Sequence, residues 1–452
     1  MLHSRRTFLR NSLCASAGAT LTFDQLCRTA AAAQVGDDYK ALVCVFLDGG
    51  NDGDNMLIAR GASEYANYAK GRGGLAVARD RLLPITPTVT DGREWGMHPS
   101  LPEMATHFAQ KKLAILNNVG PLVAPITRAE YLAQSVPVPP QLFSHSDQSL
   151  VWQTSLPDQD SQTGWGGRIA DLMQSLNTNA KISLAISPTI SIDNDAPFLA
   201  GSKSVPYQLS TEGSLSLNQY DDSANADPVS QAVREMLLLD HTNLFEGAYR
   251  DLTKRAIEHD LKLRGALQSA PPLVTEFPAT DLGKQLRMAA RMIAVRQAFG
   301  VKRQIFFCQL SAFDTHVAQL GTHDGLLEQV SKAMNAFYQA TVALGVVTQV
   351  TTFTASDFGR TWHFNGSGSD HGWGNHHLIL GGAVKGGNLY GRIPVQVEEG
   401  PDDSGGGRWI PTTAVDEYAA TLALWFGVSV SDLPLVVPNL GRFAKQNLGF
   451  MN

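Results

Sequence analysis

The chain has 452 residues, of which 43% are hydrophobic, and it carries 42 acidic against 36 basic side chains. The resulting net charge of -6 argues against nucleic acid as a partner, because binding a phosphate backbone requires clustered Lys and Arg. No run of about 18 apolar residues occurs, so the sequence predicts no transmembrane segment. The length is sufficient for one large, elaborated α/β domain.

The first 33 residues have the pattern of a twin-arginine export signal. Arg5 and Arg6 precede two large apolar residues, a short apolar stretch and a group of alanines that ends at Ala33. We predict cleavage near Ala33 after export by the twin-arginine machinery, which places the protein in the periplasm or outside the cell. The alternative is the basic start of a cytosolic helix.

Short apolar runs then alternate with helical patterns along the chain. The apolar runs predict six strands, at 41–47, 112–119, 182–186, 304–310, 345–354 and 377–380. Apolar residues at helical spacing, as in Leu327, Val330, Met334 and Phe337, predict helices in the gaps. This order predicts an α/β fold with a mostly parallel sheet and helices on both faces.

One stretch interrupts this alternation. Residues 210–227 are acidic and rich in Ser and Asn, residues 229–267 are helical in pattern, and prolines follow up to Pro278. We therefore predict a single α/β domain over 34–452 with a largely helical insertion or cap at about 210–278.

Two cysteines remain beyond the signal. Cys44 and Cys308 each lie in an apolar run, which favours two buried thiols. A disulfide becomes possible if the two strands are neighbours, since thiols can oxidise outside the cytosol.

Acidic residues follow several of the predicted strands. Asp52, Asp314 and Asp357 would share the carboxyl edge of a parallel sheet, where ligands bind in such folds. Carboxylates held this close repel one another unless a cation compensates. We therefore predict a divalent metal, with zinc, calcium and magnesium all compatible.

Histidines near these acids would complete the metal site. His316 follows Asp314 by two residues, and Asp370 directly precedes His371, so both pairs are predicted as metal ligands. For each of the remaining histidines nearby, a structural hydrogen bond is the preferred interpretation; these are His323, His376 and His377.

The candidate nucleophile is Ser144, which stands before a helical pattern at 148–154. A helix N-terminus favours an anion, and a bound metal would lower the pKa of the hydroxyl. The alternative is that Ser144 or Ser146 only caps the helix. His145 would orient the nucleophile or protonate the leaving group.

Arg360 is a candidate for binding a tetrahedral anion, because the guanidinium group pairs bidentately with such oxygens. The alternative for Arg360 is an ion pair that closes its loop.

Several segments together resemble the secreted bacterial family known as domain of unknown function 1501. The similarity covers nearly the whole chain after the signal. The segments are Gly49–Gly53, Leu142–Trp152, Phe313–His316, Ser356–Arg360 and Asp370–Gly387.

That family is similar in turn to the alkaline phosphatase and sulfatase superfamily, whose members have a metal site at the strand ends of a parallel sheet. The resemblance implies that Asp52 is the first acidic ligand, with Asp48 as an alternative. It also implies Asp357 as the acid of an Asp-His pair and His371 as the last histidine. Phe358 departs from the pattern, because it stands where the pair has its histidine.

The resemblance further implies Asp314 as the next acid, with His316 or His323 beside it. Because Phe358 is not a ligand, the site has one metal, or two if Asp370 or His376 substitutes.

The functional hypothesis is an exported, metal-dependent hydrolase of alkaline phosphatase type. It would cleave phosphate or sulfate esters, in a small molecule or a polymer, through Ser144. The alternative is a non-catalytic binding protein that retains the fold and holds a structural cation or an extracellular polymer.

Overall fold

The computed structural model describes residues 38–177, 187–192, 195–214, 226–239 and 243–452. The predicted export signal and the predicted strand at 182–186 lie outside these residues. Backbone contacts group Lys40–Asn452 into one compact unit.

The strands of this unit follow the apolar runs of the sequence. In chain order they are β1 Lys40–Leu47, β2 Leu57–Ala59, β3 Leu83–Ile85, β4 Trp95–Met97, β5 Leu113–Gly120, β6 Thr189–Ile192, β7 Tyr207–Ser210, β8 Gly213–Ser214, β9 Arg303–Leu310, β10 Val350–Ser356, β11 Asn375–Gly381, β12 Leu389–Tyr390 and β13 Thr413–Ala414.

The helices fill the intervals between the strands. They are α1 Gly53–Met56, α2 Ala62–Arg72, α3 Pro102–Ala109, α4 Arg128–Ala133, α5 His145–Thr154, α6 Trp165–Asn177, α7 Pro228–Leu238, α8 Leu244–Ser269, α9 Asp281–Ala294, α10 Gln319–Ala343, α11 Val415–Phe426 and α12 Leu433–Val436. Among the residues described, no helix combines the length and the apolar character needed to cross a membrane.

The main sheet is mixed, with mostly parallel pairings. Its order is β12-β5-β11-β10-β1-β9-β6-β7-β8, and β13 pairs with β5 beside this path. The central strand β1 is parallel to both β10 and β9. A smaller antiparallel sheet has the order β2-β4-β3.

One reversed strand determines where the site forms. β11 is antiparallel to both β10 and β5, so it begins at the edge of the sheet where those strands end. The segment that enters β11 therefore meets the segments that leave β1, β9 and β10. This edge receives most of the acids and histidines singled out in the sequence.

The core lies on both faces of the sheet. Alternate residues of β1, Leu42, Cys44 and Phe46, pack into one cluster with α6 and α11. The intervening Val43 and Val45 are equally buried, as expected for a strand covered on both faces. The predicted α/β class, with a mostly parallel sheet between helices, is confirmed.

The predicted strand at 345–354 begins later than expected. Gly345 has a φ of 70° and its amide donates to Val342 O, which ends α10. The backbone between Gly345 and β10 is used to close the helix, so pairing begins only at Val350.

Cys44 and Cys308 are buried thiols and form no disulfide, as the preferred interpretation predicted. Their strands are neighbours, but Cys308 stands opposite Val45 rather than Cys44. Since successive residues of a strand point to opposite faces, the two thiols lie on different sides of the sheet.

The region predicted as an insertion contains a short hairpin and two helices in its described parts. β7 pairs antiparallel with β8, and α7 and α8 follow. Asp227 caps α7 by accepting hydrogen bonds from the amides of Val229 and Ser230.

Candidate metal centre

Four side chains converge at the edge where β9 and β10 end. Asp314 and His316 follow β9, His371 precedes β11, and His145 opens α5. His145, Asp314 and His371 each offer a ligand atom within 4.8 Å of the others.

Two of the four ligand atoms, Asp314 Oδ1 and His371 Nε2, each lie close to the other three. Asp314 Oδ1 lies 3.0 Å from His316 Nε2, 3.3 Å from His371 Nε2 and 3.4 Å from His145 Nε2. His371 Nε2 is also 2.9 Å from His316 Nε2 and 3.0 Å from His145 Nε2. Four atoms bound tetrahedrally to zinc at about 2.0–2.1 Å would be separated by roughly 3.3 Å. The separations of Asp314 Oδ1 and of His371 Nε2 from the other ligand atoms, 2.9–3.4 Å, are close to that value.

Hydrogen bonds on the far side of each ring determine which nitrogen carries the proton. His371 Nδ1 lies 2.6 Å from the Phe143 carbonyl oxygen, which can only accept, so Nδ1 is the donor. His145 Nδ1 donates in the same way to Asp357 Oδ2 at 2.7 Å. In a neutral ring with its proton on Nδ1, Nε2 carries a lone pair, so in the neutral form of both rings two lone pairs face each other across 3.0 Å.

His316 completes the pattern. Its Nδ1 lies 3.2 Å from Asp370 Oδ1, and in the tautomer that donates there the Nε2 lone pair faces Asp314 and His371. Three lone pairs and a carboxylate oxygen at these distances repel one another unless a cation lies between them. Metal-binding histidines normally donate their second nitrogen to such acceptors. The residues present thus fit a divalent metal.

The candidate centre is open on one side. The exposed fractions of the ligand side chains run from 23% for His371 to 44% for Asp314. Four protein ligands complete a tetrahedral zinc shell, so water or substrate would reach a metal held here by adding a fifth ligand on the exposed side.

Aromatic packing fixes the two central rings. Phe358 lies 4.8 Å from the His371 ring and 4.8 Å from the His145 ring, centroid to centroid. Where the resemblance placed a ligand, this chain therefore has an apolar support for two other ligands.

The backbone is bent into unusual conformations around the centre. Phe143 has a φ of 72° and Ala312 a φ of 81°, in the left-handed region that bulky or branched residues rarely adopt. Phe143 is thereby able to direct its carbonyl at His371. Such conformations cluster at sites where the surrounding structure enforces them.

A close backbone approach explains the glycine at position 49. Gly49 has a φ of 111°, and a Cβ there would lie 2.4 Å from Asp314 N. Its amide donates to Asp357 Oδ1 at 3.2 Å. Glycine allows β1 and the Asp314 loop to meet.

The charges of the cluster shift its pKa values. The hydrogen bond that His145 donates to Asp357 raises the pKa of His145, against an opposing effect of burial. Burial lowers the pKa of His371. Burial alone would raise the pKa of Asp314, but the hydrogen bond and charge of Arg360 outweigh it and hold that pKa below its ordinary value.

Asp357 and Asp370, predicted as metal ligands, lie behind the rings instead. Each carboxylate lies against an Nδ1 and so orients a histidine, as outer partners of metal ligands do. His145, expected to act in proton transfer, takes a place among the ligand atoms.

Asp52, the other predicted ligand, is paired elsewhere. Its carboxylate forms a fully buried ion pair with Arg72 and also accepts from Gln319. It accepts from the amide of Asn55 as well, which caps α1. The guanidinium of Arg72 already balances its charge.

Arg360 was expected to contact a substrate anion, but its side chain is 0% exposed. Its guanidinium donates to Asp314 Oδ1 at 2.8 Å, to Gly49 O at 3.2 Å and to the Ser369 carbonyl. This is the loop-closing ion pair of the alternative interpretation.

Ser144 stands at the N-cap position of α5 but makes no capping hydrogen bond. Its hydroxyl donates to Asp147 Oδ2 at 2.5 Å instead. Ser144 lies between Phe143, which orients His371, and His145, which is itself in the cluster.

The other histidines near the site have structural partners. His323 Nε2 lies 3.0 Å from Asn51 Oδ1, and His376 Nδ1 accepts from the amide of Asn118. Burial lowers the pKa of both rings, to about 3 and about 4 respectively, so they stay neutral.

The fold and the cluster together define an α/β protein with a candidate three-histidine, one-carboxylate metal centre at the carboxyl edge of its sheet. The chain belongs to the family described as Protein of unknown function (DUF1501), whose model matches residues 39–402. The family assignment made from the motifs is confirmed.

Solved structures similar to this chain include a sulfatase, PsFucS1 from Pseudoalteromonas sp., at 11% identity and a TM-score of 0.36, covering 90% of this chain and 71% of that one. The lipoteichoic acid synthase LtaP from Listeria monocytogenes has 9% identity and a TM-score of 0.34, covering 93% and 78%. The phosphonate monoester hydrolase SpPMH from Silicibacter pomeroyi has 8% identity and a TM-score of 0.36, covering 88% and 77%. No curated protein matches the chain.

Proposed function

We propose that this protein is an exported, zinc-dependent hydrolase of phosphate or sulfate esters, of alkaline phosphatase type, that uses Ser144 as its nucleophile. The observation that carries the proposal is the convergence of His145, His316 and His371 Nε2 on Asp314 Oδ1. The Ser4–Arg10 motif supports export by the twin-arginine machinery to the periplasm or beyond.

The donor set favours zinc among the divalent metals. Calcium and magnesium prefer six or more oxygen ligands, whereas three imidazole nitrogens and one carboxylate suit a tetrahedral zinc ion. Zinc held by His145, Asp314, His316 and His371 would supply a Lewis acid that stabilises negative charge on the ester oxygens.

Ser144 has the surroundings of a nucleophile. Its hydroxyl already donates to Asp147 Oδ2, so Asp147 is placed to accept the proton when Oγ attacks phosphorus or sulfur. The Oγ–P or Oγ–S bond forms, the bond to the ester oxygen breaks, and the leaving alcohol takes up a proton. Water then attacks the serine ester and releases phosphate or sulfate with Ser144 restored.

The substrate is a small-molecule or polymer ester. The half-exposed ligands leave one side of the cluster accessible to such a group.

The test is hydrolysis of aryl phosphate and aryl sulfate by the zinc-loaded protein. We expect turnover of at least one ester, and a loss of about 10²-fold or more in Ser144→Ala, as for removal of an essential nucleophile. Ser146→Ala is the matched control, because this exposed hydroxyl also contacts Asp147, at 3.2 Å. Equal activity in Ser144→Ala and wild type would remove Ser144 from the proposal.

Phe358 favours a second candidate function, that of a non-catalytic binding protein. A non-catalytic binding protein would need the cluster only to hold a structural cation, and an apolar residue in place of a ligand suits that role. Zinc that raises the free energy of unfolding while neither ester is turned over would favour this alternative.

A further inference from the structure

We propose that Arg408 binds the tetrahedral anionic group of the substrate beside the metal centre. This inference rests on the proposed function and assigns the anion-binding role that the buried Arg360 does not fill. The observation behind it is a guanidinium that contacts the backbone of His371 and pairs with no carboxylate among the described residues.

Arg408 contacts His371 and Phe143, the residue whose carbonyl orients the His371 ring. Its Nε donates to the His371 carbonyl at 2.9 Å. Its guanidinium carbon lies 4.9 Å from the centroid of the Phe143 ring, and the Phe143 carbonyl accepts from His371 Nδ1. The positive charge therefore lies against the backbone of one ligand residue and the ring of the residue that orients it.

The loop that carries Arg408 is rigid. The buried Asp403 accepts through Oδ1 from the amides of Gly405, at 2.8 Å, and Arg408, at 3.0 Å. Its Oδ2 accepts from the amide of Glu399. The Arg408 carbonyl accepts from the amide of Ser404 at 2.9 Å. A preorganised loop of this kind reduces the cost of ordering a side chain when a ligand binds.

The guanidinium retains free donors. An arginine side chain has five N–H groups. In Arg408 the Nε–H donates to the His371 carbonyl, and one Nη1–H donates to the Gly405 carbonyl at 3.0 Å. Within the described part of the chain, no carboxylate forms an ion pair with Arg408 and no protein acceptor binds Nη2. The side chain is partly exposed, so these donors are accessible.

Neighbouring arginines differ in this respect. Arg392 pairs bidentately with Asp402, and Arg360 pairs with Asp314. A planar pair of N–H donors matches the geometry of two oxygens of a phosphate or sulfate group. The metal ion and the Arg408 guanidinium would then bind this group from different sides.

The experiment measures binding of inorganic phosphate and inorganic sulfate to the zinc-loaded protein by calorimetry, together with KM and kcat for the aryl esters. We expect Arg408→Gln to weaken binding of at least one anion about 10- to 100-fold, the effect of a lost hydrogen bond to a charged group. KM should rise more than kcat falls, and zinc stoichiometry should not change. Arg408→Lys keeps the charge but loses the planar pair of donors. Its affinity for the anion should lie between those of the wild type and Arg408→Gln.

Arg93→Gln is the matched control. Its guanidinium also stacks on an aromatic ring, Trp95, at 4.6 Å, but it pairs with Asp91. We expect anion binding as in wild type.

The two proposals fail in different ways. Ester turnover with unchanged anion binding and KM in Arg408→Gln would overturn the role of Arg408 and leave the hydrolase intact. Anion binding that depends on Arg408, without turnover of either ester, would support the anion site and count against the hydrolase. Absence of anion binding by the zinc-loaded wild type would overturn the role of Arg408.

Discussion

His145 Nε2 and His371 Nε2 face each other at 3.0 Å, although the Nδ1 atom of each ring already donates a hydrogen bond on its far side. Two neutral imidazoles cannot form a hydrogen bond through two lone pairs. A cation between the rings resolves this conflict, and Asp314 and His316 supply two further ligands at the same point.

The first prediction concerns metal content. We expect one equivalent of zinc per chain, and a loss of affinity greater than about 100-fold in His371→Ala, since even an outer partner of a ligand contributes 10- to 100-fold. At a zinc concentration 100 times Kd, the free energy of unfolding of the wild type should rise by about 2.7 kcal/mol. Metal analysis after dialysis and chemical unfolding with and without zinc measure both.

His363→Ala is the control for that variant. This histidine is 66% exposed and contacts Glu398 rather than the cluster, so its loss should leave zinc affinity unchanged. Retention of tight zinc binding by His371→Ala would contradict the candidate centre.

The second prediction concerns the acid behind His145. Asp357→Asn keeps the size of the side chain but removes the charge that holds the Nδ1 proton, so we expect zinc affinity to fall about 10- to 100-fold. Competition with a chelator of known affinity measures the change. Asp370→Asn should have a smaller effect, because that carboxylate is 53% exposed and its contact with His316 is longer, at 3.2 Å. A larger loss of zinc affinity in Asp370→Asn than in Asp357→Asn would contradict the role assigned to Asp357.

The third prediction concerns Gly49. Alanine there would place a Cβ 2.4 Å from Asp314 N, a backbone atom that cannot move without displacing the ligand. Gly345→Ala is the matched control, since Gly345 also has a positive φ, of 70°, but open space around it.

We expect Gly345→Ala to cost about 1–2 kcal/mol, the strain of a left-handed residue. Gly49→Ala should cost roughly 1–3 kcal/mol more and should also weaken zinc binding. Urea unfolding of both variants compares the two costs, and equal values would show that Asp314 does not constrain position 49.

The fourth prediction concerns pH and Asp416, a buried acid in the first turn of α11. Burial raises its pKa from 3.8 to about 7. Between these values the folded state holds a proton that the unfolded state has released, so stability is greatest at low pH and falls as pH rises from about 4 to 7.

For Asp416 alone the fall amounts to roughly 4 kcal/mol, at 1.36 kcal/mol for each pKa unit. Asp416→Asn removes this contribution, so its stability relative to wild type should increase across the same range. Unfolding curves at several pH values measure the difference, and parallel profiles for the two proteins would contradict the raised pKa.

Much of the fold was predictable from local sequence. The runs at 41–47, 112–119, 304–310 and 377–380 became β1, β5, β9 and β11, because continuous apolar segments of that length are stable as strands only when covered on both faces. The position of Asp314, His316 and His371 at the strand ends followed from the same pattern.

Side-chain partners were less predictable. Asp52 was expected at the metal, but α2 brings Arg72 to it, and a buried guanidinium pairs with a buried carboxylate whichever motif the acid belongs to. For Arg360 the sequence left open an anion-binding role and a loop-closing ion pair, and only the tertiary structure encloses it between Gly49, Asp314 and Ser369. Arg408 follows three glycines and has no sequence feature that distinguishes it from other loop arginines.

The sequence by itself determined the α/β class, the family and the presence of acids and imidazoles at one edge of the sheet, because apolar periodicity and strand-end residues are local properties. Tertiary structure alone decided which atoms face the metal point. An imidazole presents a lone pair only where its other nitrogen is held by an acceptor, and those acceptors come from residues 212 positions away for His145 and 228 for His371.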